Sequence, residues 1–190
     1  MTLCGQTARG LDVCLRPLTE ADWPLLYRWN SDPDVLYYSE GNDVACYSQE
    51  DVQGIYRTVC KAAFCFVIEA GGEPVGECWL QRMNIDRILE RYPGLDCRRI
   101  DLMIGEKTYW EQGIGTETIR LLTEFAFVDL VVNVIHNAEI ADYNLRSQRA
   151  FQRVGYRIAE RIKQPPGSKA EYGYDLVLTR EEFLTERRKA

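Results

Sequence analysis

The sequence contains a single histidine, no pair of cysteines with C-x-x-C spacing and no apolar run of the ~18 residues that a membrane span requires. One histidine leaves little material for a Ser-His-Asp triad. The seven cysteines suggest neither a zinc site nor a disulfide framework, and most lie in apolar runs, which predicts small buried side chains. The first residues also lack the long apolar core of a secretion signal. We therefore expect a cytoplasmic protein that holds no metal and does not enter a membrane.

The sequence also has no excess of positive charge. The chain has 23 lysines and arginines against 29 aspartates and glutamates, a net charge of -6. This balance argues against nucleic acid as the main partner and favours cationic ligands. At 190 residues, without repeats or an evident linker, we expect one domain spanning residues 1–190, either a monomer or a homodimer.

Strand-like and helix-like stretches alternate along the chain. Helical patterns begin after the capping residues Thr19, Ser48 and Asn144, and Gly155 is a typical helix terminator. Residues 84–96 read as an irregular segment. The runs that predict strands are LDVCLRPL, FCFVIEAGGEPVGECWLQRM, residues 97–105, VVNVIHNAEIA, YRIAERI and EYGYDLVL. This order predicts an α/β (α+β) fold with a mixed, mostly antiparallel sheet and helices on both of its faces.

The stretch YWEQGIGTET, residues 109–118, joins an apolar strand to a helix. Gly113 and Gly115 expose backbone N–H groups at the helix start, where the helix dipole also favours an anion such as pyrophosphate. A dinucleotide-binding fingerprint would need a third glycine at the position of Thr118, and the chain has no Gly-Lys-Ser/Thr of a Walker loop. A purely structural reading, in which the glycines only allow close helix–strand packing, stays open.

The window Trp110–Gly115 resembles the pyrophosphate loop of the GNAT acetyltransferases, Gln/Arg-x-x-Gly-x-Gly/Ala, with Trp at its first position. LRPLTEADWPLLYRWNSDP, EPVGECWL and NLRSQRAFQRVGY resemble further stretches of that family, in the same order. The resemblance implies a GNAT-like fold, acetyl-CoA as the donor and a set of residues that hold it. Those residues are Leu102, Met103 and Ile104 on the strand, Gln112, Gly113, Ile114, Gly115 and Thr116 on the loop, and the helix cap Asn144.

Asp101 interrupts a segment that is otherwise built as a core strand, RRIDLMI, and aspartate is a poor strand former. Such departures from local rules are typical of functional sites. Within the GNAT family, RRID resembles the aminoglycoside 6'-N-acetyltransferases, and this resemblance implies that Asp101 accepts the proton of the amine. The alternative is a structural ion pair of Asp101 with Arg98 or Arg99.

The same resemblance implies a substrate site lined by acids and aromatic rings, which suits a polycationic aminoglycoside. It assigns Glu139, Asp86, Tyr37, Tyr38 and Glu40 to this site, with Asp43 adjacent. Each of these acids could also be a solvated surface residue.

One position departs from the subgroup: Phe151 stands where many GNAT enzymes have the tyrosine that protonates the coenzyme A thiolate. We expect Tyr156 to face elsewhere, so water or another group protonates the thiolate, or it leaves unassisted. Three alternatives stay open for the activity as a whole. They are acetylation of a protein amino terminus or a polyamine, a siderophore-pathway acyl transfer, and a non-catalytic coenzyme A-binding module.

Overall fold

The computed structural model describes residues 1–40 and 46–189. Its strands are β1 (Leu3–Gln6), β2 (Asp12–Pro17), β3 (Ala63–Ala70), β4 (Glu73–Arg82), β5 (Cys97–Ile104), β6 (Val134–Ala141), β7 (Arg157–Lys163) and β8 (Tyr172–Thr179). Its helices are α1 (Trp23–Trp29), α2 (Pro33–Ser39), α3 (Gln49–Val59), α4 (Asp86–Leu89), α5 (Ile114–Glu124), α6 (Leu145–Val154) and α7 (Arg180–Arg187). A π-helical segment, Phe125–Asp129, continues α5.

The strands form one sheet in the order β1-β2-β3-β4-β5-β6-β8-β7, antiparallel throughout except for β5 and β6. The parallel contact is short, with Cys97 opposite Val134 and Arg98 opposite Ile135. Further along, the side chain of Asn137 on β6 accepts a hydrogen bond from Ile100 N and donates one to Ile100 O. The mixed, mostly antiparallel sheet predicted from the sequence is therefore confirmed.

Each face of the sheet has its own apolar core, because side chains alternate along each strand. Leu80 of β4 and Leu176 of β8 belong to the larger core, which packs against α5 and α6. On the opposite face, Trp79 packs with the residues of α1 to α3, and Val177 packs with Ile88 of α4. The second face is the one on which Asp101 lies, since Asp101 pairs with Trp79 across the strands.

The helix ends follow the capping signals of the sequence. Ser48 Oγ accepts a hydrogen bond from Asp51 N at the start of α3, and Asn144 Oδ1 accepts one from Ser147 N at the start of α6. Gly155 ends α6 with φ at 107°, a left-handed conformation that favours glycine. Thr19 caps a short 3-10 turn, Glu20–Asp22, which precedes α1.

Three local expectations were wrong: the irregular segment 84–96, the absence of a disulfide and the burial of most cysteines. The segment 84–96 contains the helical turn α4, and the amino-terminal strand β1 forms a hairpin with β2. The hairpin register places Cys4 opposite Cys14, and the two form a disulfide bond. Sequence spacing carries no information on cross-strand register, so this pairing was not predicted. Of the other cysteines, only Cys78 and Cys97 are buried, while Cys65 is half-buried and Cys46 and Cys60 are exposed.

Every helix over residues 1–40 and 46–189 is too short or too polar to cross a lipid bilayer.

Candidate active site

A cavity of about 700 Å³ lies between the end of β5, the loop that starts α5, and α6. All the residues that the sequence assigned to coenzyme A line it: Leu102, Met103, Ile104, Gln112, Gly113, Ile114, Gly115, Thr116 and Asn144. The β1–β2 hairpin forms a further wall through Thr7 and Arg9. The structure therefore brings three separate stretches of sequence to one cavity, and their role in binding stays a prediction.

The loop before α5 has the geometry of an anion site. Gly113 caps the helix with φ at 85°, a conformation that costs glycine little. The first N–H groups of a helix have no acceptor within it, so those of α5 are available to a ligand in the cavity. Four arginines also line this cavity in an otherwise acidic protein: Arg9, Arg146, Arg149 and Arg153. Backbone amides and guanidinium groups together suit the phosphates of coenzyme A.

Trp110, the departure from the family loop pattern, has a structural role here. Its indole Nε1 donates a hydrogen bond of 2.7 Å to Ile104 O, which ties the loop to the end of β5. The guanidinium carbon of Arg146 lies 4.2 Å from the centre of the Tyr38 ring and 4.3 Å from that of Trp110. Arg146 therefore sits against two aromatic rings, one from α2 and one from the loop, which favours its charge by cation–π attraction.

Asp101 lies on β5, two residues before Met103 of the cavity wall. Its Oδ2 accepts a 2.6 Å hydrogen bond from Gln81 Nε2 and lies 3.1 Å from Arg99 Nε, and its side chain is 38% exposed. Burial raises its pKa, against the opposing effects of Arg99 and Gln81. The ion pair with Arg99 is thus real, whereas Arg98 pairs with Asp96. An accessible carboxylate with a raised pKa remains a suitable proton acceptor.

Glu77 on β4 is the residue that the sequence reading missed. Glu77 is only 6% exposed. Burial raises the pKa of its carboxyl to about 8, and the negative charge of Asp101 adds to this rise. Among the described residues, Glu77 Oε2 and the indole Nε1 of Trp79 are buried without a hydrogen bond of good geometry, although Tyr56 and Trp79 lie against the Glu77 carboxyl and oppose the rise of its pKa. The signal was present in the sequence, because Glu77 stands in the apolar run PVGECWL just as Asp101 stands in its own strand. Buried polar groups without partners are rare and mark sites of interest.

Glu40, at the end of α2, belongs to the same acidic group. Its charge contributes to the raised pKa of Glu77, and, after burial, it is the main cause of the raised pKa of Tyr47. The predicted neighbour Asp43 lies outside the described residues. Glu40, Glu77 and Asp101 therefore form an acidic cluster drawn from α2, β4 and β5.

Tyr37 and Tyr38 form an aromatic group with Tyr143. The Tyr37 ring lies 4.9 Å from Tyr38 and 5.1 Å from Tyr143, and Lys169 Nζ lies 3.6 Å from its centre. Of the pair, only Tyr38 lines the cofactor cavity. The backbone oxygen of Tyr38 accepts a hydrogen bond from Asn144 Nδ2, so the cap of α6 also holds the end of α2.

Glu139 and Asp86 do not line the cofactor cavity. Glu139 lies at a bulge of β6, where its carboxylate accepts hydrogen bonds from Arg87 Nη2 at 2.9 Å and Gln164 Nε2 at 3.3 Å. Asp86 is exposed on α4, beside Arg87. Their place at an acceptor site stays a prediction.

The other candidate catalytic groups are occupied. The single histidine, His136, is fully buried and lies between Asp175 Oδ2 at 3.0 Å and the Tyr92 hydroxyl at 3.1 Å. Burial raises the pKa of Cys97 to about 12, which disfavours a thiolate. Tyr156, near the position of Phe151, has its hydroxyl 2.8 Å from Thr123 Oγ1 in the buried core. Tyr156 therefore faces away from the cavity, as expected.

No cluster of three or more histidine, cysteine, aspartate or glutamate side chains in the described part of the chain is arranged to hold a metal ion.

Comparison with known proteins identifies relatives over nearly the whole chain. The family model of the acetyltransferase (GNAT) domain matches residues 12–157. The aminoglycoside N(6')-acetyltransferase type 1 of Serratia marcescens is 28% identical over 183 residues, covering 94% of this chain and 88% of the relative. The solved structure of AAC(6')-Ib with ribostamycin and coenzyme A is 25% identical, with a TM-score of 0.78 over 94% of this chain and 99% of that one.

A more distant structure shares the fold alone. The spermidine N-acetyltransferase of Vibrio cholerae, solved with CoA and spermine, is 15% identical, with a TM-score of 0.73 over 90% of this chain and 98% of that one.

Proposed function

The chain belongs to the acetyltransferase (GNAT) family, and from that premise we propose that it acetylates the 6'-amine of aminoglycoside antibiotics, an activity that confers resistance. Acetyl-CoA is the proposed donor, held in the cavity at the start of α5. The family assignment supports acetyl transfer in general, and the relatives named for aminoglycoside 6'-acetylation support this acceptor.

The observation that carries the proposal is the acidic cluster of Glu40, Glu77 and Asp101. Asp101 of the cluster lies on β5, the strand that leads into the cofactor cavity, so a cationic acceptor held by the cluster would meet the donor there. The basic side chain placed directly against the cluster is Arg99, which contacts Asp101. A cluster with more carboxylates than cations attracts an ammonium group, and bound positive charge in turn favours the charged form of Glu77.

The reaction needs a neutral amine, because a protonated amine has no lone pair for attack. In the proposed scheme Asp101 accepts the amine proton as the nitrogen bonds to the acetyl carbon and the carbon–sulfur bond breaks. Acetyl-CoA supplies the acetyl group as a reactive thioester. The raised pKa of Asp101 makes it a better proton acceptor than an ordinary aspartate at neutral pH.

The leaving thiolate receives no help from a tyrosine on α6. Phe151 is buried in the core, and the hydroxyl of Tyr156 is engaged by Thr123. The thiolate of a thiol with a pKa of about 8.5 is a tolerable leaving group without an acid, so solvent suffices as the final proton donor.

The test is thiol release from acetyl-CoA by the purified protein with kanamycin, spermidine or a short peptide with a free amino terminus. We expect kanamycin to give the highest kcat/KM, and mass spectrometry of the product to place one acetyl group on the 6'-nitrogen. Acetylation at another nitrogen would contradict the position, and a clear preference for the peptide would contradict the acceptor class.

Polyamine acetylation is the second candidate, because the same acidic cluster suits any acceptor with several ammonium groups. Spermidine lacks the sugar rings that aromatic side chains such as Tyr37 and Tyr38 would contact. Replacing Tyr37 with Ala should therefore lower kcat/KM for kanamycin and leave that for spermidine nearly unchanged if the aminoglycoside is the acceptor. Kanamycin kinetics unchanged in Tyr37→Ala, beside a higher kcat/KM for spermidine than for kanamycin in the parent, would favour the polyamine.

A further inference from the structure

The bulge of β6 has a backbone conformation that its sequence does not favour. Glu139 has φ at 53°, in the left-handed region that a side chain other than glycine, asparagine or aspartate rarely adopts. The register between β6 and β8 shifts between Asn137 and Ile140, so Glu139 lies in the extra length of the bulge. Strained backbone persists only where surrounding contacts hold it, and it is concentrated at functional positions.

Asp175 on β8 supplies the first of these contacts. Its side chain is fully buried, and its Oδ1 accepts a 2.9 Å hydrogen bond from the backbone N–H of Glu139. Arg87 of α4 donates to both oxygens of Asp175, at 2.6 and 3.2 Å, and His136 lies 3.0 Å from Oδ2. The buried carboxylate of Asp175 thus links Arg87 of α4 to His136, which precedes the bulge, and to Glu139 within it.

The same arginine also reaches the side chain of Glu139. Arg87 Nη2 donates to Glu139 Oε1 at 2.9 Å, so Arg87 is shared by the two carboxylates. Asp175 therefore acts on Glu139 twice, once through the backbone and once through Arg87. The Glu139 side chain is 43% exposed, in contrast to that of Asp175, and so remains accessible to a ligand.

Gly173 supplies the second contact. A β-carbon added there would lie 2.9 Å from Glu139 Cα, 3.0 Å from Glu139 Cβ and 2.9 Å from Gln164 Nε2. Those distances are too short for carbon atoms, so the bulge can occupy its place only because position 173 has no side chain. Asp175 and Gly173 are two residues apart on β8, and both lie against the same residue of β6.

We propose that Asp175 and Gly173 are positioning residues that fix the carboxylate of Glu139 for an ammonium group of the acceptor, away from the amine that reacts. The inference rests on the proposed function, because it takes Glu139 as an acceptor ligand. Binding of a polycation then depends on the buried carboxylate of Asp175 and on Gly173, although neither residue contacts the polycation. A monoamine that lacks the second ammonium group does not need this arrangement.

The test is a double-mutant cycle on Gly173→Ala and Glu139→Gln, with kanamycin and with 6-amino-6-deoxyglucose, a sugar carrying one amine. We expect Gly173→Ala to raise KM for kanamycin by about threefold to tenfold, with kcat within about twofold, since chemistry at Asp101 is unchanged. Neither constant should change appreciably for the monoamine. In the double variant KM should equal that of Glu139→Gln alone, because a displaced carboxylate and an absent one are equivalent.

Gly54→Ala is the matched control, since its β-carbon would meet no atom within 4 Å and helix α3 favours alanine. Asp175→Asn is the second variant, because asparagine can still accept from Glu139 N but no longer carries the charge that holds Arg87. It should reproduce the rise in kanamycin KM at a temperature where circular dichroism shows the variant folded.

Three outcomes separate the possible failures. Additive effects of Gly173→Ala and Glu139→Gln, or equal losses with both acceptors, would overturn the positioning role while leaving the acceptor assignment standing. An unchanged kanamycin KM in Glu139→Gln would overturn both the role of Glu139 and this inference. No acetylation of kanamycin by the parent protein would contradict the proposed function itself, and the cycle repeated with spermidine would then decide the positioning role.

Discussion

The cavity assigned to coenzyme A, the cofactor half, and the group of acids proposed to hold the acceptor, the acceptor half, are built in different ways. The proposed cofactor half uses backbone groups from short contiguous stretches, chiefly β5 and the glycine loop before α5. The proposed acceptor half uses charged side chains from the end of α2, β4, β5 and β6, of which Glu77 is buried and the others are partly exposed. A ligand common to a whole family can be bound by backbone, whereas a particular acceptor requires side chains that differ from one relative to the next.

This contrast predicts two kinds of mutational effect. A change in the cofactor half should impair every acceptor equally, because each reaction uses the same donor. A change in the acceptor half, apart from the proton acceptor, should discriminate between acceptors according to their charge. Single substitutions test whether effects on donor binding and effects on acceptor binding can be separated in this way.

The largest effect is expected for Asp101→Asn, which keeps the volume of the side chain and removes the base. Turnover should fall by about 10²-fold or more with every amine, while the affinity for acetyl-CoA stays unchanged. Stopped-flow thiol release and calorimetric titration with coenzyme A measure the two quantities. Asp12→Asn, at an exposed residue that begins β2, is the matched control. A nearly active Asp101→Asn would make Asp101 structural and move the search for the base to Glu77, Glu139 and Asp86.

Glu139→Gln should have the next largest effect, and only with polycationic acceptors. A charge-assisted hydrogen bond contributes about 1.5 to 3 kcal/mol, so kcat/KM for kanamycin should fall by roughly tenfold to a hundredfold. Binding of kanamycin should also weaken as salt is added, because part of it is attraction between opposite charges. A monoamine should be nearly indifferent. Equal losses for both acceptors would show that the two halves cannot be separated at this residue.

Gly115→Asp should lower coenzyme A affinity by at least about tenfold, or ~1.4 kcal/mol. A β-carbon at this position would lie 3.7 Å from Leu102 Cδ1, an ordinary contact, so the expected loss comes mainly from the negative charge near the pyrophosphate. Gly115→Ala separates the added carbon from the charge and should lose much less. Unchanged affinity in a folded Gly115→Asp would contradict the assignment of the loop.

Glu77→Gln should have the smallest effect on turnover at saturating acceptor, because glutamine resembles the protonated carboxyl that predominates below pH 8. Its effect should appear in stability. The folded pKa of Glu77 is about 8 against an ordinary 4.5, so between these values the folded state holds a proton that the unfolded state has released. This contribution is complete below pH 4.5 and is lost as pH rises towards 8, by up to ~1.4 kcal/mol per pH unit.

Urea unfolding of the parent and Glu77→Gln at pH 5, 6.5 and 8 measures this difference. The free energy of unfolding of the parent should fall relative to that of the variant as pH rises through this window. Parallel curves would mean that Glu77 has an ordinary pKa in the folded protein.

Sequence reasoning predicted the fold from local signals, and the residues that the family resemblance assigns to coenzyme A line one cavity. Capping residues, the paired glycines and an aspartate inside an apolar strand are each visible within a few residues of sequence. The acceptor half was predicted mainly by resemblance to a known subgroup, and of its described residues only Tyr38 lines the cofactor cavity. Glu77 was overlooked although it breaks its strand pattern as Asp101 does, because its stretch EPVGECWL was interpreted only as a strand of the family.

The remaining features depend on which distant segments meet. The contact of Asp175 with Glu139 N joins residues 36 positions apart, across a bulge whose location no local pattern announces. The Cys4–Cys14 disulfide follows from the register of a hairpin whose first strand has only four residues. Such features are set by tertiary pairing, which single-sequence periodicity does not specify.

The short parallel contact between β5 and β6 has a consequence for backbone hydrogen exchange. The N–H and C=O of Ile100 both bond to Asn137 of β6. Backbone groups two residues apart on a strand point to the same side, so the N–H and C=O of Leu102 also point towards β6, where the two strands are no longer paired. The Leu102 amide should therefore exchange its hydrogen rapidly in the free protein, although it lies in a central strand. An extended ligand that pairs with this edge should slow that exchange, whereas the amides of Asp101 and Met103, which face β4, should be protected in both states.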